Sequence, residues 1–279
     1  MTWTFSSDLA AFSAAARATV AAHPVVNTQL LTAMRSLERL GPDAFGSGEP
    51  LFGWWTGPGG RVDGAVIRTP PYPLLVGALP PEAVPALGAA LASEPRLGGI
   101  GAFNARRADA EVLAEAWGRP TKVTEEFRLY RLAGLLAPDP APAGRSRRAT
   151  EADLPLVREW MTAFHVEEGL PATVPDGLLL DRISYGGTLI WEDGGGPVSM
   201  AGFHRPASGA SRVGPVYTPP AHRGRGYGAG VTHAVSEAAY AAGAEEVLLF
   251  TVLSNPTSNR IYLRLGYTPV EDRAELVLA

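Results

Sequence analysis

The chain has 279 residues, 46% of them hydrophobic, and a formal net charge of -4. That length suits one large domain or two of ordinary size, and the charge leaves no global basic field to hold nucleic acid or an anionic membrane. The absence of cysteine excludes disulfides, thiolate metal ligands and a cysteine nucleophile, and fits a reducing compartment.

Met1 to Asp8 has no basic stretch followed by an apolar run, so no signal peptide is expected. Nor does any segment reach the ~20 consecutive apolar residues of a membrane span. A cytoplasmic location, with no membrane partner, is the expectation. The 32 glycines and 25 prolines fall between patterned segments, which indicates many short connections. The bias to Ala, Gly, Pro and Arg over Lys suggests a GC-rich bacterial genome.

In chain order, Ser7 and Asp8 can cap a helix with Leu9, Phe12 and Ala16 on one face, stopping before His23-Pro24. A second helix, 27–40, carries Leu30, Leu31, Met34, Leu37 and Leu40 and ends at Gly41-Pro42. Strands are expected at 51–55, 64–68 and 74–76, between Gly- and Pro-rich turns. Then come a helix at 81–93, a strand at 99–103, a helix at 105–117 and an alternating strand at 123–132. Residues 136–144, Leu-Ala-Pro-Asp-Pro-Ala-Pro-Ala-Gly, read as a proline-rich linker. This predicts domains at 1–135 and 145–279.

The second half restarts the pattern. A short strand at 147–149 precedes Thr150, which caps a helix over 154–168, with Asp153 in a weak capping box. Strands follow at 187–192, 198–205 and 212–218, then a helix at 226–242 and a buried strand at 246–252. A short helix at 256–265 stops at Gly266, and Tyr267 and Glu275–Leu278 look like closing strands. The order of elements, with paired Trp-containing strands and Gly-rich turns, repeats that of the first half. An internal duplication of one α/β unit is the expectation.

The sharpest local feature is Val213-Gly-Pro-Val-Tyr-Thr-Pro-Pro-Ala-His-Arg-Gly-Arg-Gly-Tyr-Gly-Ala-Gly. A strand enters, a Gly-rich basic loop turns, and a helix leaves with Val231, Val235, Ala238 and Ala242 on one face. Free N–H groups at a helix start carry the positive end of the macrodipole, and glycines let a phosphate approach them. An anion site follows, best suited to a di- or triphosphate. It lacks the Gly-Lys-Ser/Thr of a P-loop and the Gly-x-Gly-x-x-Gly of a dinucleotide loop.

Arg223-x-x-Gly226-x-Gly228 between strand and helix resembles the acyl-CoA pyrophosphate loop of the GNAT superfamily of N-acetyltransferases. A second segment agrees. Asn255-Pro-Thr-Ser258-Asn-Arg-Ile-Tyr262-Leu-Arg-Leu-Gly266-Tyr267 resembles that family's Asn-x-x-(Ser/Ala)-x-x-x-Tyr-x-x-x-Gly-(Phe/Tyr) stretch.

The resemblance implies a mixed, mostly antiparallel sheet flanked by helices in each half, with a splayed strand pair in the C-terminal one. It implies acetyl-CoA as co-substrate, bound by the backbone of Val216, Tyr217 and Thr218, by the loop residues Arg223, Gly224, Arg225, Gly226, Tyr227, Gly228 and Ala229, and beside Asn255 and Ser258. It implies Tyr262 as the acid that protonates the leaving thiolate, and an amine acceptor. The base is open among His165, Glu167, Glu168, His204 and Tyr217, with Glu168 the candidate carried forward. A non-catalytic acyl-CoA sensor is the alternative reading.

No metal is expected, since the five histidines show no ligand spacing, and no Gly-x-Ser-x-Gly elbow is present. Residues 78–85 of the first half lack the Arg-x-x-Gly-x-Gly, so that half is expected to be a degenerate copy that binds no acetyl-CoA. Trp54 and Trp55 could line a pocket or pack in its core. A monomer or homodimer is expected. Acceptor specificity is expected in variable loops, among them 169–181.

Overall fold

The computed structural model describes residues 1–279. The first half runs β1 (Thr2–Ser6), α1 (Leu9–Ala22), α2 (Thr28–Leu40), β2 (Leu51–Thr56), β3 (Val62–Arg68), β4 (Leu74–Val76), α3 (Ala83–Ser93), β5 (Ala102–Arg106), α4 (Arg107–Trp117) and β6 (Thr121–Leu132). The second runs β7 (Arg145–Arg148), α5 (Leu154–Glu167), α6 (Asp176–Ser184), β8 (Thr188–Asp193), β9 (Gly196–Phe203), β10 (Ala210–Tyr217), α7 (Tyr227–Ala241), β11 (Glu246–Val252), α8 (Pro256–Arg264) and β12 (Tyr267–Leu278). Both halves therefore read strand, two helices, three strands, helix, strand, helix, strand. No helix is long and apolar enough to cross a membrane.

Three details differ from expectation. Thr2–Ser6 is a strand, β1, although its alternation spans only five residues. Asp176–Ser184, expected in part as variable loop, is the helix α6. Its Leu179 and Ile183, four apart, are both buried. Tyr267 and Glu275–Leu278 belong to one continuous strand, β12.

The chain divides into two compact units that are not consecutive segments. One holds residues 1–129, 252–254 and 271–279; the other holds 130–251 and 255–270. In the first, strands neighbour one another in the order β1-β2-β3-β4-β5-β12. Only β4 and β5 are parallel there, and the tail of β12 closes the set by antiparallel pairing with β5, Arg273 opposite Arg106 through Val277 opposite Ala102. In the second, the order β7-β8-β9-β10-β11 is antiparallel except for the β10–β11 pair. The residues 136–144 expected as a linker lie within this second unit. They are seated: Trp191 Nε1 donates to the Ala143 carbonyl at 2.8 Å, and a Cβ on Gly230 would come 2.7 Å from the Pro142 ring.

Each unit has its own apolar core. In the first, Val66, Leu74, Phe103, Leu113 and Trp117 pack with β12 residues Ala274 and Leu276. Trp55 belongs to the interior, 3% exposed and 5.7 Å from the Trp3 ring. In the second, Val213, Val231, Val235, Leu249, Tyr262 and Tyr267 cover one face of the sheet, and Val157, Trp160, Met161, Leu179, Met200 and Tyr217 the other. So α7 and α8 lie on one side and α5 and α6 on the opposite side.

The entry to α5 is fixed by charge. Thr150 and Asp153 form the expected capping box across a short 3₁₀ turn. Arg147 grips Asp153 through two nitrogens, at 2.7 and 2.8 Å, and Glu192 through its Nε at 2.6 Å. Arg147 first, then the Thr150 amide and hydroxyl, hold the Asp153 carboxyl down to about 2. A carboxyl depressed by folding stabilises the protein above its ordinary range and loses that contribution as pH falls through about 2. Asp153→Asn should cost on the order of 1–2 kcal/mol at pH 7, with part of the gain screened because Arg147 is a third exposed. Urea midpoints of the two proteins should converge by pH 2; a gap that stays constant with pH would remove the charge from the explanation.

Candidate active site

β10 and β11 run parallel, so the loops that leave both C-terminal ends gather on one edge of the sheet. Such edges are where open α/β sheets bind ligands. The two strands pair only from Ala210–Glu246 to Val213–Leu249. Beyond that point they part. On its other side β10 pairs Val213 with Phe203, then Val216 with Ala201, so three steps on β10 match two on β9. This is a bulge.

The sequence explains it. Gly214 sits at φ +150, a region open to glycine. Pro215 has no N–H to donate to a ladder. The strand pair is splayed as expected. The Tyr217 carbonyl is already engaged by Ser199 Oγ at 2.9 Å, and the Thr218 carbonyl by Arg223 Nε at 2.9 Å. These two carbonyls are thus committed within the protein.

β10 leads through a 3₁₀ turn, Pro220–His222, into the basic loop. Gly224 and Gly226 both take positive φ, +77 and +81. Gly226 is the N-cap of α7 and brings no side chain to cap it. The first intrahelical bond in this turn is Gly230 N to Gly226 O at 3.0 Å. The amides of Tyr227, Gly228 and Ala229 stand in the first turn, ahead of any intrahelical acceptor. Tyr227 is buried at 4% exposure, and its hydroxyl bonds Asp193. Arg225 is exposed and near that hydroxyl. Arg223, expected among the loop contacts to acyl-CoA, has a partner within the protein. Its Nη2 forms an ion pair with Glu167, at 2.6 and 2.9 Å, so it braces the loop to the end of α5.

β11 leads to α8. Asn255 is its N-cap, with Oδ1 accepting from Ser258 N at 3.0 Å, and Pro256 occupies the first turn. Tyr262 lies one turn beyond Ser258 and is 8% exposed. Its ring packs 6.4 Å from Tyr130 and 6.0 Å from Tyr267. Burial, then the nearby Glu168 charge, push its hydroxyl up to about 12, against a lowering hydrogen bond from Ser258.

The base candidates separate. His165 is a buried structural residue, with Nδ1 2.6 Å from the Pro171 carbonyl. Glu167 serves Arg223 and receives the Tyr217 hydroxyl at 3.4 Å. His204 is held well below the ordinary histidine range by burial and by Arg212 and Arg182. Glu168, which caps the end of α5, is the candidate whose charge reaches Tyr262. No group of three His, Cys, Asp or Glu side chains stands close enough to hold a metal ion.

The first unit shows the same edge filled. β4 and β5 pair only at Leu74–Phe103 and Leu75–Asn104. The buried Arg273 of β12 bonds both strands there. Its Nη2 reaches the Val76 carbonyl at 2.6 Å and the Asn104 carbonyl at 3.1 Å, and its Nε reaches Asn104 Oδ1 at 2.8 Å. The turn before α3 is occupied too: Asn27 Oδ1 accepts from Ala78 N at 2.8 Å, and Ala83 is fully buried. Sequence reasoning saw the missing glycines but not these plugs, which come from residues distant in the chain.

Residues 154–267 match the acetyltransferase (GNAT) family. No curated protein matches the chain. Among solved structures, an acetyltransferase of the GNAT family from Colwellia psychrerythraea aligns with a TM-score of 0.63 at 13% identity, covering 100% of this chain and 99% of its own. A GCN5-related N-acetyltransferase from Sphaerobacter thermophilus gives 0.63 at 17%, covering 98% and 94%. A tandem GNAT protein from the clavulanic acid biosynthesis pathway gives 0.57 at 15%, covering 99% and 98%. At these identities the likeness is one of fold, and it extends over both halves.

Proposed function

Because the chain carries an acetyltransferase (GNAT) family domain at residues 154–267, we propose that it transfers the acetyl group of acetyl-CoA to a primary amine in a ternary complex. The observation that carries this reading is the parting of β10 and β11 beyond Val213, with an uncapped helix start after one strand and a buried tyrosine after the other.

The residues fit the co-substrate. The first-turn amides of Tyr227, Gly228 and Ala229, with Arg225 nearby, suit a pyrophosphate. The pantetheine arm would lie along Val216 to Thr218, where β10 has lost its parallel partner. Bound acetyl-CoA supplies an acyl group already activated as a thioester.

The amine nitrogen attacks the carbonyl carbon, polarised by a backbone N–H near Val216. The C–N bond forms and the C–S bond breaks. Tyr262 gives a proton to the leaving sulfur, and the proton of the attacking amine passes to Glu168, directly or through water. A tyrosine that titrates near 12 keeps its proton at neutral pH. Since an ordinary thiol titrates near 8.5, Tyr262 acts first as a hydrogen-bond donor to the developing thiolate.

The backbone site can be tested apart from the chemistry. A Cβ on Gly228 meets nothing closer than Thr218 Oγ1, at 3.6 Å, so a side chain there does not crowd the fold. Gly228→Val should weaken acetyl-CoA by roughly tenfold or more, the equivalent of about one charge-assisted hydrogen bond, while Tm stays close to wild type. Calorimetric titration reads this. Undiminished affinity would move the phosphate site elsewhere. Binding with no thiol release across an amine panel would instead make the protein a sensor.

A further inference from the structure

On the α5–α6 side of the sheet, next to the bulge, the second unit holds cations without counter-charges. Arg182 at the end of α6 lies over Gly202: a Cβ there would be 3.0 Å from both its Cδ and its Nη1, and 3.3 Å from the Gly214 carbonyl. Arg212 of β10 shares that face, and its field and that of Arg182 act on His204. Arg212 makes no ion pair, and its Nε is sealed from solvent with no acceptor. Burial and then Arg182 lower its guanidinium to about 10. His204 remains neutral and offers no compensation. The neighbouring Arg205 has Asp181 at 3.4 Å and the Tyr185 ring 3.9 Å beneath its Cζ, although its Nε, like that of Arg212, is buried without an acceptor.

Arg182 and Arg212 are each half-buried, and two like charges placed near one another repel unless an anion joins them. A water-sized, mostly apolar pocket lies beside Arg182; Thr188, Gly202 and Pro215 line it with Val157 and Met161 of α5, and Arg212 stands outside its walls. Thr188 is 3% exposed, and its hydroxyl has no partner. Pro215 is the bulge residue and immediately precedes Val216.

We propose that Arg182 and Arg212, with Thr188, bind an oxyanion on the amine acceptor, so that the substrates are small amines bearing a carboxylate or phosphate. This rests on the acetyl-transfer reading. It assigns the acceptor's charge, which that reading leaves open. Arginine suits the task because its planar fork matches an oxyanion with two hydrogen bonds. The acceptor is thereby held at the pocket beside the bulge.

The test uses the full chain with acetyl-CoA and matched acceptors: β-alanine, L-alanine and 2-aminoethyl phosphate against β-alaninamide and L-alaninamide. The anionic amines should exceed the amides in kcat/KM by roughly tenfold or more, and the carboxylate and phosphate arms identify which oxyanion is preferred. In Arg212→Gln and Arg182→Gln the preference should collapse through a higher KM for the anionic acceptors. Arg212→Lys, which keeps the charge, should retain part of it, and acetyl-CoA affinity reports that each variant is folded. If the amides serve as well as the acids, or the Gln variants keep the preference, the proposal is overturned. Should no acceptor turn over, N-acetyl-β-alanine and its amide are titrated into the protein. Binding of the acid alone, lost in Arg212→Gln, supports the site, and equal or absent binding rejects it. Failure of the acetyl-transfer reading is seen separately, as no heat with acetyl-CoA.

Discussion

Replacing Tyr262 with Phe is expected to lower kcat by about two to four orders of magnitude and to leave acetyl-CoA affinity within about twofold. The substitution removes one oxygen from a side chain that is already buried against Tyr130 and Tyr267. The ring still fills its place, so packing persists. What is lost is the proton offered to the sulfur as it leaves. The change should therefore fall on kcat and kcat/KM together, as it does when an interaction is made only in the transition state. Equal turnover by the Phe variant would remove Tyr262 from the chemistry.

The same group predicts a pH signature. Its folded value is raised to about 12, mainly by burial. The donor is thus present throughout the neutral range, and an alkaline fall in rate below about pH 10 must come from another group. The linkage sign follows. A tyrosine favoured neutral in the folded state contributes its full stabilisation below the unfolded value near 10, and that contribution is lost as pH rises toward 12.

Gly266→Ala is expected to destabilise the protein by on the order of 3 kcal/mol. Gly266 takes φ +92, and a Cβ there would lie 1.9 Å from the Gly134 carbonyl oxygen. That neighbour is backbone and cannot swing away. Moving it breaks the bonds from Ala133 N to Gly266 O, at 3.0 Å, and from Leu136 N to Leu265 O, at 3.1 Å. A fall in Tm of roughly 5–10 °C follows for a chain of this size. Because Gly266 ends the helix that carries Tyr262, kcat should fall as well. Gly243→Ala is the control. Its φ is also +92, but nothing lies within 4 Å of its Cβ, so only backbone strain of about 1 kcal/mol remains. Matching melting temperatures for the two variants would show that the contact with Gly134 is not what requires glycine.

The features legible in the sequence were those written locally. Asn255, Pro256 and Gly266 punctuate a short helix by capping chemistry that needs only neighbours in the chain. Gly226 and Gly228 mark a strand-to-helix turn for the same reason. Most of the element order, apart from β1 and α6, was readable because hydrophobic period switches from two to 3.6 wherever strand meets helix.

What stayed hidden depends on tertiary partners. The charge of Arg223 suggested a phosphate ligand; that Glu167 from α5 pairs with it could not be read from the sequence. The burial of His165 against the Pro171 carbonyl and the placing of His204 beside Arg212 and Arg182 were equally hidden. The helix α6 was obscured by Gly177 and by a triple leucine run that spreads around the helix. Arg273 lies near the C-terminus yet closes the edge between β4 and β5, a contact separated from Asn104 by 169 positions. The pairing of the β12 tail with β5 is equally invisible to local pattern.

Those plugs bear on how many sites the chain has. In the first half, Arg273 and Asn27 satisfy the backbone groups that a ligand would need, and in the second the equivalent strand end is parted and the helix start uncapped. The proposed function therefore places one acetyl-CoA site in each chain, at β10 and the turn into α7. Calorimetric titration of acetyl-CoA into the full chain, beside Gly228→Val and Arg273→Gln, tests this most directly. One site in wild type, weakened by Gly228→Val and retained in a folded Arg273→Gln, is the expected outcome. Two sites per chain, or a single site indifferent to Gly228→Val, would contradict it.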